Sequence, residues 1–166
     1  MSMPSTNFAD AAVMTLFDKI VSYALASGRF DSVNQHEPKN APGVGVQCSI
    51  WAQMMKPVRS SGMNVTSGLV VFQARIYSNF LSEPFDMIDP NVMSAAADFI
   101  GRLSGDFDFG GEAGVRNIDL LGSTGNSTSL QANAGYVEID RQMFRVMTVT
   151  IPVIVNDMFA QQSTRT

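Results

Sequence analysis

The 166-residue chain has one cysteine, one histidine and one tryptophan, and only 16% of its residues are charged. A single thiol, Cys48, excludes an intramolecular disulfide framework. Cys48 and His36 together cannot supply the ligands of a Cys/His zinc site within one chain. Any Ser-His-Asp or Cys-His arrangement would have to use His36, which sits in a polar, turn-rich stretch, and no nucleophile-elbow sequence is present. His36 therefore reads as a solvated loop residue and Cys48, mid-strand on an apolar face, as a buried structural thiol. The charged fraction lies well below the roughly 25% usual for soluble domains. With 11 Lys and Arg against 15 Asp and Glu, the net charge is −4, and no cluster of cations is available to neutralise phosphates. No window approaches the roughly 20 apolar residues of a membrane span. The first basic residue, Lys19, follows a periodic rather than continuous apolar pattern, unlike a secretory signal peptide. These absences predict a soluble chain made inside the cell, with no membrane partner, no cofactor and no strong nucleic-acid binding.

What is present is periodicity. Phe8, Ala12, Val13, Leu16, Phe17, Ile20, Val21, Ala24 and Leu25 recur at helical spacing, which predicts a helix over 7–27 with Asn7 as N-cap and Gly28 as stop. Residues 29–37 hold a short strand. Residues 44–57 alternate, with Val46, Cys48, Ile50, Ala52 and Met54 on one side and Gln47, Ser49, Trp51, Gln53 and Met55 on the other. Residues 65–80 alternate likewise, Val70, Phe72, Ala74 and Ile76 against Gln73, Arg75 and Tyr77, and the short connection predicts an antiparallel hairpin. Asp89-Pro90 reads as N-cap and first helical residue of a second helix whose face is Val92, Met93, Ala96, Ala97, Phe99, Ile100 and Leu103, ending at Gly105. Residues 106–114 form an acidic, glycine-rich loop, 115–121 a strand and 122–127 a turn. Residues 130–139 and 142–155 are two strands joined at Asp140-Arg141, with Pro152 marking an edge or a bulge. The expected fold is α+β: one domain over 1–166, mainly an antiparallel sheet with two helices packed on one face. Its folded core covers 7–157, with 1–6 and 158–166 as flexible ends.

The chemical signals are weak. Asp106 to Glu112 departs from a calcium loop, with Gly110 where a third oxygen ligand belongs and Asn117 where the closing Glu belongs. Gly43/Gly45 and Gly122/Gly125 lack the strand-glycine-helix context of a phosphate loop. Asp86 and Asp89 are paired carboxylates, but capping accounts for Asp89. Arg141 and Arg145 are offset by Glu138 and Asp140. By contrast, apolar surface is in surplus. There are 11 methionines, Trp51, Met55 and Tyr77 lie on outward strand faces, and Met63, Phe107 and Phe109 lie in loops. Contiguous exposed apolar area commonly marks protein contact, and methionine fills irregular contacts well. The chain is therefore expected to work as part of an oligomer. Met55, Arg59, Met63, Phe107, Phe109 and Arg141 are the candidate inter-subunit or partner contacts.

The run from Ser67 to Tyr77, with Glu83-Pro84 and Asp89-Pro90, resembles tail terminator proteins of long-tailed (siphovirus-type) bacteriophages infecting actinobacteria and their relatives. Asp119 to Gly122, Gly135-Tyr136, Met143 to Val146 and Thr150 to Val153 carry the same resemblance, which covers about residues 8 to 158. It implies a fold with an N-terminal helix, a hairpin, a second helix and further strands on one sheet. It also implies a structural role without enzymatic activity, in a hexameric ring at the head-proximal end of the tail, assembled in the host cytoplasm. The ring caps the tail tube, stops its polymerisation and joins the tail to the head connector. Its partners are sister copies, the tube protein and the connector or neck protein, and genomic DNA passes through the lumen without specific binding. Six copies at −4 apiece would not grip DNA. Loops 57–65 and 105–114 are candidates for axial or inter-subunit contacts. The alternatives are another tail or neck component (a tube subunit or head-closure protein), or a small enzyme using only Asp86, Asp89, Asp106 or Asp108.

Overall fold

A computed structural model of the chain describes residues 8–58, 65–122 and 129–160. The predicted N-cap Asn7, most of the connection after the second strand, the turn near 122–127 apart from Gly122 itself, and the end of the tail lie outside them. The first helix, α1, spans Phe8–Ala26. Leu16, Ile20 and Ala24 are fully buried along it, with Val13, Phe17, Val21 and Tyr23 packed around them, while Met14 and Leu25 face outward. Gly28, at φ 68°, ends the helix in the left-handed conformation expected of a C-terminal glycine.

Six strands build one sheet: β1 Ser32–Asn34, β2 Val46–Val58, β3 Val65–Asn79, β4 Val115–Ile118, β5 Gln131–Ile139 and β6 Gln142–Ala160. Their order is β1-β2-β3-β6-β4, and β5 also pairs with β6. Every ladder is antiparallel except β1 with β2, so the sheet is mixed. The second helix, α2, spans Ile88–Gly105 and buries Ile88, Val92, Ala95, Ala96, Phe99 and Leu103. Of its predicted face, Met93 and Ala97 turn outward, and Ala95, which the sequence pattern left off that face, turns inward. Both helices cover the same side of the sheet. Their side chains meet Cys48, Ile50, Val70, Phe72, Ala74, Ile76, Val149, Ile151 and Val153 in one core, as the α+β reading expected.

Three local features depart from the sequence pattern. First, the β2–β3 register steps between Ala52 and Met54, a β-bulge that takes up Gln53. One extra residue inverts every later side chain, because strand side chains alternate with period two. Met54 therefore lies opposite Val71 on the face away from the helices, and Met55 opposite Val70 on the helix face, the reverse of simple alternation. Pro57 sits within β2 rather than closing it. Second, β6 is not an edge. β3 flanks it on one side, and β5 followed by β4 on the other. It also runs on to Ala160, with Met158 buried, beyond the predicted end at 155. Pro152 is tolerated because its carbonyl, and hence the side its missing N–H would face, points to the flank where β5 has ended at Thr150 and β4 begins at Val153. There the Pro152 carbonyl accepts the Asp119 N–H at 2.8 Å. Third, Asp140 and Arg141 take φ of 50° and 63°, the two positive values of a two-residue hairpin turn between β5 and β6. β5 pairs only with β6, so its other edge has no strand partner among the described residues.

Candidate functional site

The chain leaves β3 at Asn79 and reaches α2 through Phe80, Leu81 and a short 3-10 turn, Phe85–Met87. This connection carries large apolar side chains that the core does not take in. Leu81 is 73% exposed and Phe85 61%, and Phe80 and Met87 are also exposed. Across from them, Tyr136 of β5, 60% exposed, meets the Phe80 ring edge-on with centroids 5.9 Å apart. Phe80, Leu81, Phe85, Ile88 and Tyr136 enclose a hollow of about 310 Å³ whose polar lining is Asp89 and Arg145.

Arg145 holds the hollow together. Its Nε donates to Asp89 Oδ1 at 2.9 Å, its Nη1 donates to the Gly135 carbonyl at 3.3 Å, and its guanidinium lies 4.5 Å from the Tyr136 ring centroid. The Phe80 N–H also donates to the Met143 carbonyl at 3.0 Å, closing the connection onto β6. Asp89 is thus not the N-cap. It lies inside the first turn of α2, Met87 holds the cap position without a side-chain bond, and the 3-10 turn leads into the helix. The Asp89 carboxylate still favours the positive end of the helix while it fixes Arg145. Replacing Arg145 with Met is expected to lower stability by about 1–2 kcal/mol, the sum of a partly exposed ion pair and a cation–π contact. A shifted urea midpoint with unchanged slope would check it.

The opposite sheet face carries no helix among the described residues. Two cross-strand rows run over it: Ser49, Arg75, Thr148 and Asn133, then Trp51, Gln73, Thr150 and Gln131. Arg75 stacks over Trp51 at 5.2 Å and donates from Nε to Thr148 Oγ1 at 3.2 Å, while Gln73 donates to Gln53. Apart from Arg75 these rows are hydroxyl, amide and indole. Toward one end of this face Tyr77, Phe144 and Val146 form a second apolar cluster covered by Ala41, which makes Phe144 a core residue. Among the described residues the buried Tyr77 hydroxyl has no hydrogen-bond partner of good geometry, though the Arg75 guanidinium lies near enough to favour its ionised form. Burial, the main cause, raises the Tyr77 pKa.

Among the predicted contact residues, Met55, Phe107 and Arg141 are exposed, on β2, just after α2 and in the β5–β6 turn. They do not converge. Arg59 and Met63 lie outside the described residues. Phe109 departs from expectation: it is 1% exposed, its ring 5.8 Å from Tyr23, so it fills the core instead of offering a contact. The loop around it is partly a 3-10 helix, Phe109–Gly114, in which Phe109, Gly110 and Gly111 all have positive φ and turn the phenyl ring inward. The Asp106 carboxylate accepts the Tyr23 hydroxyl and Asp108 Oδ1 accepts the Gly110 N–H at 3.0 Å, so both serve the local fold. No group of three His, Cys, Asp or Glu gathers as a metal set among the described residues. No helix is long and apolar enough to cross a membrane among them.

Sequence reasoning passed over Phe80, Leu81, Phe85 and Tyr136 as a site. The available signal was a cluster of large apolar residues between a strand and a helix start, outside any periodic face. The stretches 83–84, 89–90, 135–136 and 143–146, scattered along the chain, all border this one hollow or the segment that walls it.

No family model matches the chain, and no curated protein matches it significantly. Among solved structures the chain is similar to the PVC sheath/tube terminator of an extracellular contractile injection system in its extended state, determined by cryo-EM. The two share 14% identity at a TM-score of 0.41, over 89% of this chain and 60% of that one, so the chain spans about 60% of that neighbour's length.

Proposed function

We propose that the chain is a structural subunit of a phage tail that assembles into a ring, hexameric as its sequence resemblance implies. The ring caps the tail tube, stops its polymerisation and presents the surface on which the head connector docks. The observation that carries this reading is the aromatic hollow beside α2. Four of the stretches that carry the resemblance, 83–84, 89–90, 135–136 and 143–146, border the hollow of exposed Phe80, Leu81, Phe85 and Tyr136, and exposed apolar clusters of this kind commonly mark contact surfaces. Low overall charge supports the same reading, since sister copies and partners would cover much of the flank. The hydroxyl and amide rows on the helix-free sheet face hold too few cations to grip a phosphate backbone.

Capping follows from geometry. Copies that meet through two different patches close into a ring when the rotation between them divides a full turn. A ring that offers the tube's contact surface on one face only ends the stack. Electron microscopy of the purified protein checks this: discrete rings of tail width, and shortened tubes when they are added to polymerising tube subunits, are expected. Long cylinders of the protein alone would make it a tube subunit, and a lone monomer indifferent to tube subunits would overturn the reading.

A further inference from the structure

We propose that the hollow walled by Phe80, Leu81, Phe85 and Tyr136 receives the Met54-Met55-Lys56 segment of β2 from a neighbouring copy, so that copies join head to tail. This names the contact within the ring reading and rests on it.

The two surfaces are complementary in chemistry. The socket is aromatic and preformed: Arg145 locks Tyr136 by stacking and α2 by its bond to Asp89, so little ordering remains when a side chain enters. Its rim is acidic. Asp89 takes up the Arg145 charge, while Glu83 and Asp86 lie exposed on the connection that forms one wall. The β2 segment is the converse. Met54 and Met55 lie on opposite sides of the strand, the bulge turning Met55 to the helix face, and both are exposed where β1, which pairs only at 47–49, no longer covers the edge. Lys56 follows them, and Arg59 is the next basic residue in the sequence. An unbranched, polarizable methionine suits an irregular aromatic hollow, and opposite charge at the rim steers the approach.

Their placement also fits a ring. Met55 lies opposite Val70, and the socket opens beyond Asn79 at the far end of β3, about 30 Å away at roughly 3.3 Å per residue. Tyr136 is two strands across the sheet on the other side of β3. Knob and socket on one copy are thus distant and unlike. Within the ring reading each copy gives its knob to one neighbour and its socket to the other, a heterologous contact that repeats around the ring.

Single-site variants Met55→Cys and Leu81→Cys, purified separately and mixed with a short bismaleimide, test the contact while the fully buried Cys48 stays silent. Cross-linked pairs are expected from the mixture and not from either variant alone. Met55→Asp and Leu81→Asp, both at exposed positions, are each expected to weaken assembly at least about tenfold, equivalent to ~1.4 kcal/mol. A mixture of these two should stop at pairs, because one intact knob and one intact socket remain. Rings in electron micrographs without mixed cross-links would overturn this contact and leave the ring standing. Cross-links from Leu81→Cys alone would overturn the head-to-tail arrangement. Wild-type monomers at every concentration, with or without tube subunits, would overturn both.

Discussion

Phe72→Ala is expected to lower the unfolding free energy by about 3–5 kcal/mol, enough to leave a marginal domain largely unfolded at physiological temperature. Phe72 is fully buried in the middle of β3, between Ala52 on β2 and Ile151 on β6. Its ring meets that of Phe17 edge-on at 4.9 Å, so the same side chain joins the sheet to α1. Truncation removes the transfer term, opens a cavity between layers that cannot close independently, and deletes the aromatic pair. Urea denaturation followed by circular dichroism gives the value. A loss below ~1 kcal/mol would show that α1 does not seat on the sheet as described.

The second large effect is alkaline. Cys48 lies on β2 under the helices, and burial pushes its thiol up from 9.0 to about 12. The folded chain holds the proton that the unfolded chain gives up first, so the unfolded state binds fewer protons and stability falls with rising pH. The loss begins near pH 9, where the unfolded thiol ionises, and continues until the folded thiol ionises near pH 12. At its full extent it is worth about 4 kcal/mol. Tyr77, whose pKa burial also raises, adds a loss of the same sign. Cys48→Val should remove the thiol's share and keep the apolar packing. Its stability advantage over the parent chain should therefore grow between pH 9 and 11. A constant difference across that range would mean that Cys48 is reachable by water in the folded chain.

The layered core was legible because its elements are long and strongly periodic. β3 and β6 alternate over many residues, and α1 repeats its apolar positions through several turns. The departures occur where one residue changes the phase or a tertiary partner intervenes. Gln53 enters the bulge with no glycine to announce it, so Met54 and Met55 exchange faces. Asp89 has the sequence context of a cap, but Arg145, 56 residues further on, claims its carboxylate. Phe109, in a glycine-rich loop, reads as open until Tyr23 supplies a surface for its ring. The hollow itself needed the third dimension. Phe80, Leu81 and Phe85 belong to no periodic face, and Tyr136 reaches them only because β5 folds back along β6.

Pro152 leaves a gap in the flank of β6, between the stretch zipped to β5 and the stretch bonded to β4. Asp119 spans it: its N–H donates to the Pro152 carbonyl at 2.8 Å and its own carbonyl accepts the Leu130 N–H at 3.1 Å. The strand that bears Tyr136 is therefore moored at both ends, by the tight turn at Asp140-Arg141 and by Asp119. A docking surface built on so anchored a strand meets its guest with its shape already set.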